Sequence, residues 1–291
     1  MRFRWEWLRP VLTVPYVPTL GPVHPSVLTE DLFADILVAA ERQRFLRYDK
    51  DVRWSDAKDE TVLTQDIAHR AGETLIPTLV RRGQVTVKVH VFGMEPDSRS
   101  VAAELAAKLC ATHGAAKSRV VWFLGPEQDT YDGPCTRVQL KDFTTQLCTE
   151  PEPGVVSAFE DCPTPVRADF GAFAQRMAAD GFAFLHRQMQ AGVVGPVLVA
   201  THEGRVAGAI GPMEIRPDAV SARQLMPQYF GVLPEHRGHG FGRALWRAAM
   251  HWGHVHSASY QLLQTEVGGA SDRLCQSEGL TSLGIVCSAA Q

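Results

Sequence analysis

Two spacings of apolar residues alternate along the chain. Thr29 to Arg47 has them at helical spacing, with Thr29 placed to cap the first turn and Asp31 inside it. Gln84 to Phe92 alternates apolar and polar residues, the pattern of a half-buried strand. Asp97 or Ser98 then caps a helix over Val101 to Thr112, and Arg119 to Leu124 reads as an apolar strand. Thr149-Glu-Pro-Glu-Pro-Gly154 has the composition of a linker, and Val155 to Phe159 reads as the strand after it. Phe170 to Ala179 and Phe182 to Gln190 predict two short amphipathic helices parted by Gly181. Val197 to Thr201 and Val206 to Ile210 flank a Gly-containing turn and predict a hairpin, with Glu214 and Arg216 further along the second run. Leu225 to Val232 is strand-like, Arg243 to Trp252 helix-like, and Tyr260 to Thr265 a buried strand. Ala270 to Ser277 is a helix stopped by Gly279, and Ser282 to Cys287 is a last strand. This order predicts an α/β fold. At 291 residues two domains are expected, 1–150 and 155–291.

Composition narrows the class. A net charge of −3 gives no bulk signal for nucleic acid. No apolar run reaches the length of a membrane helix, and charges interrupt the apolar N-terminus, so no signal peptide is expected. Six cysteines (110, 135, 148, 162, 275 and 287) are scattered without a Cys-x-x-Cys, which predicts reduced thiols in a cytoplasmic protein. His251, His254 and His256 lie close together, but Gly253 weakens the helix and 256 is off its face. They read as a polar helix end, and no metal site is expected.

The chemistry concentrates in Val232-Leu-Pro-Glu-His-Arg-Gly-His-Gly-Phe-Gly-Arg243, between a strand and a helix. A glycine turn that opens a helix leaves several backbone N–H groups without partners, and the helix dipole adds positive charge there. Such a turn suits a phosphate or pyrophosphate. The spacing Gly238-x-Gly240-x-Gly242 does not fit a dinucleotide fingerprint, and no Walker string exists. A plain helix cap needs only one or two glycines.

Arg237-x-x-Gly240-x-Gly242, preceded by Val-x-Pro, resembles motif A of the GCN5-related N-acetyltransferases (GNAT). The resemblance covers about 165–291 and is specific only over 225–247. It implies a mixed, mostly antiparallel twisted sheet flanked by helices, with the two short helices roofing the acceptor side. It also implies that acetyl-CoA or another acyl-CoA is the co-substrate. By resemblance, Phe230, Gly231 and Val232 line the pantetheine arm, and Arg237, Gly238, His239, Gly240, Phe241, Gly242 and Arg243 hold the pyrophosphate. Gly231 also suits close approach of a ligand.

Acyl transfer needs a deprotonated amine, a polarised carbonyl and a leaving thiolate. Glu214 is the first candidate base and Glu266 the second, each with the plain alternative of a solvated carboxylate. Tyr229 reads as a substrate contact or as core. Many family members place a Tyr in the next helix as proton donor. Aligned on Gly279, that position is Cys275 here, which reads as a donor or as a packed small residue. Without the Tyr, three alternatives stand: another group is the acid, solvent or the product ammonium protonates the thiolate, or acyl transfer is lost.

The activity implied is transfer of a short acyl group to the amine of a small molecule. The alternatives are a donor on a carrier protein or an aminoacyl-tRNA, and a non-catalytic acyl-CoA sensor. The N-terminal half lacks a second Arg-x-x-Gly-x-Gly. It reads as an accessory α/β domain or a degenerate GNAT-like copy that shapes the acceptor cleft, docks a carrier or pairs two chains as a homodimer.

Overall fold

The computed structural model of the chain describes residues 4–290 except 56, 94, 96, 129, 130 and 132. It is α/β, with mixed sheets flanked by helices. It divides into two compact units that interleave in sequence: 1–140, 218–220 and 262–291 in the first, 141–217 and 221–261 in the second.

The first unit opens with α1 (Trp5–Leu8), a small ladder of β1 (Tyr16–Val17) and β2 (Gly21–Pro22), and α2 (Glu30–Glu41). The Thr29 hydroxyl caps α2 by accepting from Leu32 N at 3.2 Å, as its sequence predicts. The helix ends well before Arg47, because Gln43 turns into the left-handed region at φ +50°. Strands β3 (Glu60–Val62), β4 (Ala68–Arg70), β5 (Glu73–Val80) and β6 (Thr86–Gly93) follow. Then come α3 (Ser98–His113), β7 (Lys117–Leu124) and β8 (Cys135–Asp142). The β6–β7 pair is parallel and α3 is its crossover; the β5–β6 pair is antiparallel. Ala102, Ala106 and Leu109 of α3 pack on Val87, Val89, Val91, Val120 and Trp122, which makes this sheet face the unit's core.

The second unit holds β9 (Val156–Ala158), α4 (Thr164–Arg176) and α5 (Phe182–Gln190), then the antiparallel hairpin β10 (Leu198–His202) and β11 (Arg205–Gly211). The two short helices thus appear where expected, the first starting earlier. Strands β12 (Ile215–Pro217), β13 (Arg223–Leu225) and β14 (Tyr229–Val232) precede α6 (Phe241–Val255); β15 (Tyr260–Glu266) starts in this unit and belongs to the first from Leu262 on. The single strand expected from Leu225 to Val232 is two. Pro227 lacks the N–H that a mid-strand position must donate, and the chain leaves one ladder there for another. The core of this unit is aromatic: Phe173 meets Phe182 edge-on at 5.0 Å, and Phe159 meets Phe170 at 5.1 Å.

The chain ends with α7 (Ala270–Ser277) and β16 (Thr281–Ala290) in the first unit, where β16 lies between β7 and β8. The expectation of six reduced thiols is corrected here. Cys287 stands opposite Cys135 in the β16–β8 register, and the two form a buried disulfide. Their sequence separation of 152 hides the pairing from any reading of spacing. Cys110, Cys148, Cys162 and Cys275 are free. Among the described residues no helix is long and apolar enough to cross a membrane.

Candidate acyl-donor site

The glycine loop lies in the second unit, at the end of β14. β14 pairs antiparallel with β11, from Gly211↔Tyr229 to Gly208↔Val232, and among the described residues no strand pairs with its other edge. Leu233 N extends the ladder to Ala207 O at 2.9 Å, and the chain then turns through Pro234–His236. The Arg237 Nε donates back to Val232 O at 3.1 Å and ties the loop to the strand. Gly238 and Gly240 stand at φ +81° and +85°, which side chains rarely adopt. Apart from the adjoining residues, no atom of the described chain lies within 4 Å of where a Cβ would stand on either.

Beyond Gly240, α6 runs for 15 residues with no side-chain cap. Its buried face, Leu245, Trp246, Ala249 and Met250, anchors it, so the loop rests on a fixed helix. Among the described residues the backbone N–H groups of Gly238, His239, Gly240, Phe241 and Gly242 donate to no backbone acceptor. This is a cluster of unspent donors with the helix dipole behind it, suited to a phosphate. Arg237, His239 and Arg243 are exposed around it.

Two ion pairs flank the loop. Arg176 holds Glu235 at 2.7 Å, and that hydrogen bond brings the Glu235 carboxyl down to about 2. Arg205 holds Asp169 at 2.8 Å, while Asp169 also accepts from Val206 N. His202, His236 and Phe241 meet edge-on, with centroids 5.2 to 6.0 Å apart.

Residues along β14 alternate sides. Phe230 and Val232 face α6, coming within 4 Å of where a Gly242 Cβ would stand. Gly231 faces the other way, where a Cβ would meet Met177 Cε at 2.7 Å and Phe182 Cε2 at 2.9 Å. Its lack of a side chain serves helix packing, and what it offers a ligand is backbone at the strand edge. Tyr229 packs near Phe182 and Phe184, with centroids 6.4 and 6.3 Å away.

Glu214 is not on the hairpin strand. β11 ends at Gly211, a cis Gly211–Pro212 bond follows, and Glu214 sits just before β12. Its carboxylate accepts from Arg216 Nε at 2.5 Å, and its carbonyl accepts from Met226 N. Glu214, Tyr229 and the loop therefore share one unit, whereas Glu266 and Cys275 belong to the other. Glu266 is exposed at the end of β15. Cys275 is buried, and burial, with Asp272 adding to it, pushes its thiol up to about 12. Among the described residues no three His, Cys, Asp or Glu side chains gather to hold a metal.

Sequence reasoning missed Arg176 as the partner of Glu235. It also missed a glutamine pair, Gln228 and Gln261, where β13 and β14 part. Neither is signalled by local spacing, since the partners lie 59 and 33 residues apart.

Residues 194–275 match the family model described as acetyltransferase (GNAT) domain. The chain therefore carries a GNAT acetyltransferase domain over that span. Among solved structures it is similar to a GCN5-related N-acetyltransferase from Sphaerobacter thermophilus, at 15% identity, 81% coverage of each chain and a TM-score of 0.48. It is also similar to a tandem GNAT protein from the clavulanic acid biosynthesis pathway: 15% identity, 89% of this chain, 94% of that one, TM-score 0.46. A GCN5-related N-acetyltransferase from Kribbella flavida gives 14%, 78%, 90% and 0.45. No curated protein matches.

Proposed function

We propose that the protein is an N-acyltransferase that moves an acetyl or other short acyl group from acyl-CoA to an amine of a small molecule. The observation that carries this reading is the loop at 237–243: unspent backbone donors at an uncapped helix, open to approach, directly after an edge strand. A diphosphate fits the donors. The amide-bearing pantetheine arm fits the free edge of β14, as an added strand would. The arm's thioester then lies beyond the strand's N-terminal end.

The chemistry is one displacement. The amine lone pair attacks the thioester carbonyl carbon, the C–S bond breaks, and sulfur leaves with the electron pair. The proton lost by nitrogen ends on sulfur, giving an amide and a free thiol. Glu214 is our first choice for relaying that proton, because Arg216 keeps its carboxylate oriented within the same unit. Glu266 is the second. Cys275 is a poor donor, since a thiol pushed to about 12 gives up its proton less readily than a free coenzyme thiol would. The proton taken from the amine serves instead.

Thermal shift with coenzyme A against pantetheine tests the donor. At a hundred times its Kd a ligand stabilises the protein by about 2.7 kcal/mol. We expect that shift from coenzyme A and little from pantetheine. Equal shifts remove the diphosphate from the reading and favour a carrier-protein thioester. Thiol release from acetyl-CoA over a panel of amines tests catalysis; binding without release from any amine favours a sensor.

A further inference from the structure

The second unit holds a buried polar feature that the loop does not account for. β13 and β14 are one run of chain but belong to two ladders, β13 parallel to β15 at Leu225↔Gln261 and β14 antiparallel to β11. Where they part, Gln261 Nε2 donates to Gln228 Oε1 at 2.6 Å. Gln261 is 0% exposed. Two atoms of the pair, Gln228 Nε2 and Gln261 Oε1, are buried and meet no partner. Turning both amides over exchanges the roles and still leaves one donor and one acceptor, while turning one over sets like atoms against each other. An apolar pair of the same size would avoid the cost of these unmet groups. A donor and an acceptor held ready in a buried fork match a ligand that brings one of each.

The two reactants of acyl transfer bring that set: a thioester oxygen that accepts and an amine N–H that donates. The spacing agrees. From Val232 back to Gln228 is four residues, about 13 Å of strand. An arm gripped at the loop and laid along β14 delivers its acyl end to Gln228. We propose that the Gln228–Gln261 pair seats the reacting groups, its unmet N–H donating to the thioester oxygen and its unmet carbonyl accepting from the attacking amine. This rests on the coenzyme A reading above. Neither glutamine takes up a proton. The first contact polarises the carbonyl that the nitrogen attacks, and the second aims the nitrogen.

The test needs no identified amine. Acetyl-CoA and S-ethyl-CoA, a thioether lacking the carbonyl, are titrated by calorimetry into the full chain and into Gln228→Met and Gln261→Met. One hydrogen bond predicts roughly tenfold tighter binding of acetyl-CoA by the native protein. The ratio falls to near one in Gln228→Met, with S-ethyl-CoA affinity unchanged. Isotope-edited infrared spectra of bound carbonyl-labelled acetyl-CoA show a lowered stretch in the native protein that is lost in that variant. If Gln228→Met does not fold, the native spectrum and the native ratio of affinities decide. Equal affinities for the two compounds with an unshifted stretch overturn the assignment alone. Binding of neither compound overturns the coenzyme reading and this assignment with it.

Discussion

Replacing Asp272 by Ala should destabilise the first unit more than any other single polar change. The Asp272 carboxylate is 2% exposed and gathers five donors. Arg137 Nε, Gln139 Nε2 and Thr265 Oγ1 each reach it at 3.1 Å, Gly268 N at 2.9 Å and Gln276 Nε2 at 3.3 Å. The hub ties β8, β15 and α7, segments up to 135 residues apart. Alanine removes the acceptor and leaves the Arg137 guanidinium, only 14% exposed, without its counter-charge. Breaking a buried pair from one side costs about 3–5 kcal/mol, roughly a fifth or more of a stability of roughly 5–15 kcal/mol. Urea unfolding gives the number as a shift in midpoint at constant slope. Removing both charges in Asp272→Leu with Arg137→Met should recover much of the loss, because no lone charge remains. A single-variant loss below about 1 kcal/mol would refute the hub.

Three further outcomes follow from the same geometry. Gly240→Ala should cost about 1–2 kcal/mol of stability for its φ of +85°, and should weaken coenzyme A at least tenfold by calorimetry; an unchanged Kd counts against the loop. Burial holds His90 near a pKa of about 4, well below its ordinary 6.5. The unfolded chain therefore takes up the proton first as pH falls, and about 2 kcal/mol is lost between pH 7 and 5. His90→Gln should flatten the urea midpoint over that window, and an equally steep profile in the variant contradicts the assignment. Glu214→Gln should lower kcat/KM by roughly 10²–10⁴ if it relays the proton, with coenzyme A affinity unchanged; a small effect there with a large one in Glu266→Gln moves the role to Glu266.

Much of the second unit is legible because its signals are local. The Gly-x-Gly-x-Gly string, the Thr-His-Glu-Gly-Arg turn and the spacing of α6 each act within one or two turns of chain. What stayed hidden was non-local. β5 is buried along seven of its eight residues, so it shows no alternation. β8 carries the buried polar residues Gln139 and Lys141, which disguise it as a surface segment. The Cys135–Cys287 bond, the Asp272 hub and the Gln228–Gln261 pair all join residues more than 30 apart. Asp272 could be read only as an acid in a helix's first turn, although its first-turn bond to Gly268 N is one of five. The interleaving of the two units is of the same kind, since which strand β16 joins is decided by partners far back in the chain.

The edge strand β14 poses a physical problem that the sequence around it answers. A site that takes an amide-bearing arm along a strand needs unpaired backbone, and unpaired backbone also invites another chain. Here the strand is only four residues long and half-buried, and prolines bracket it at 227 and 234. Neither proline can donate to an incoming strand, so an added polypeptide finds a ladder too short to hold it. On the acyl-CoA reading proposed above, a pantetheine arm needs no longer ladder, because the phosphate grip at one end would supply most of its affinity. On this reasoning Pro227 and Pro234 protect the edge, and Pro234→Ala should leave coenzyme A affinity nearly unchanged while raising the tendency to self-associate. Light scattering against concentration measures it, and a variant that stays as monodisperse as the native protein excludes a protective role for Pro234.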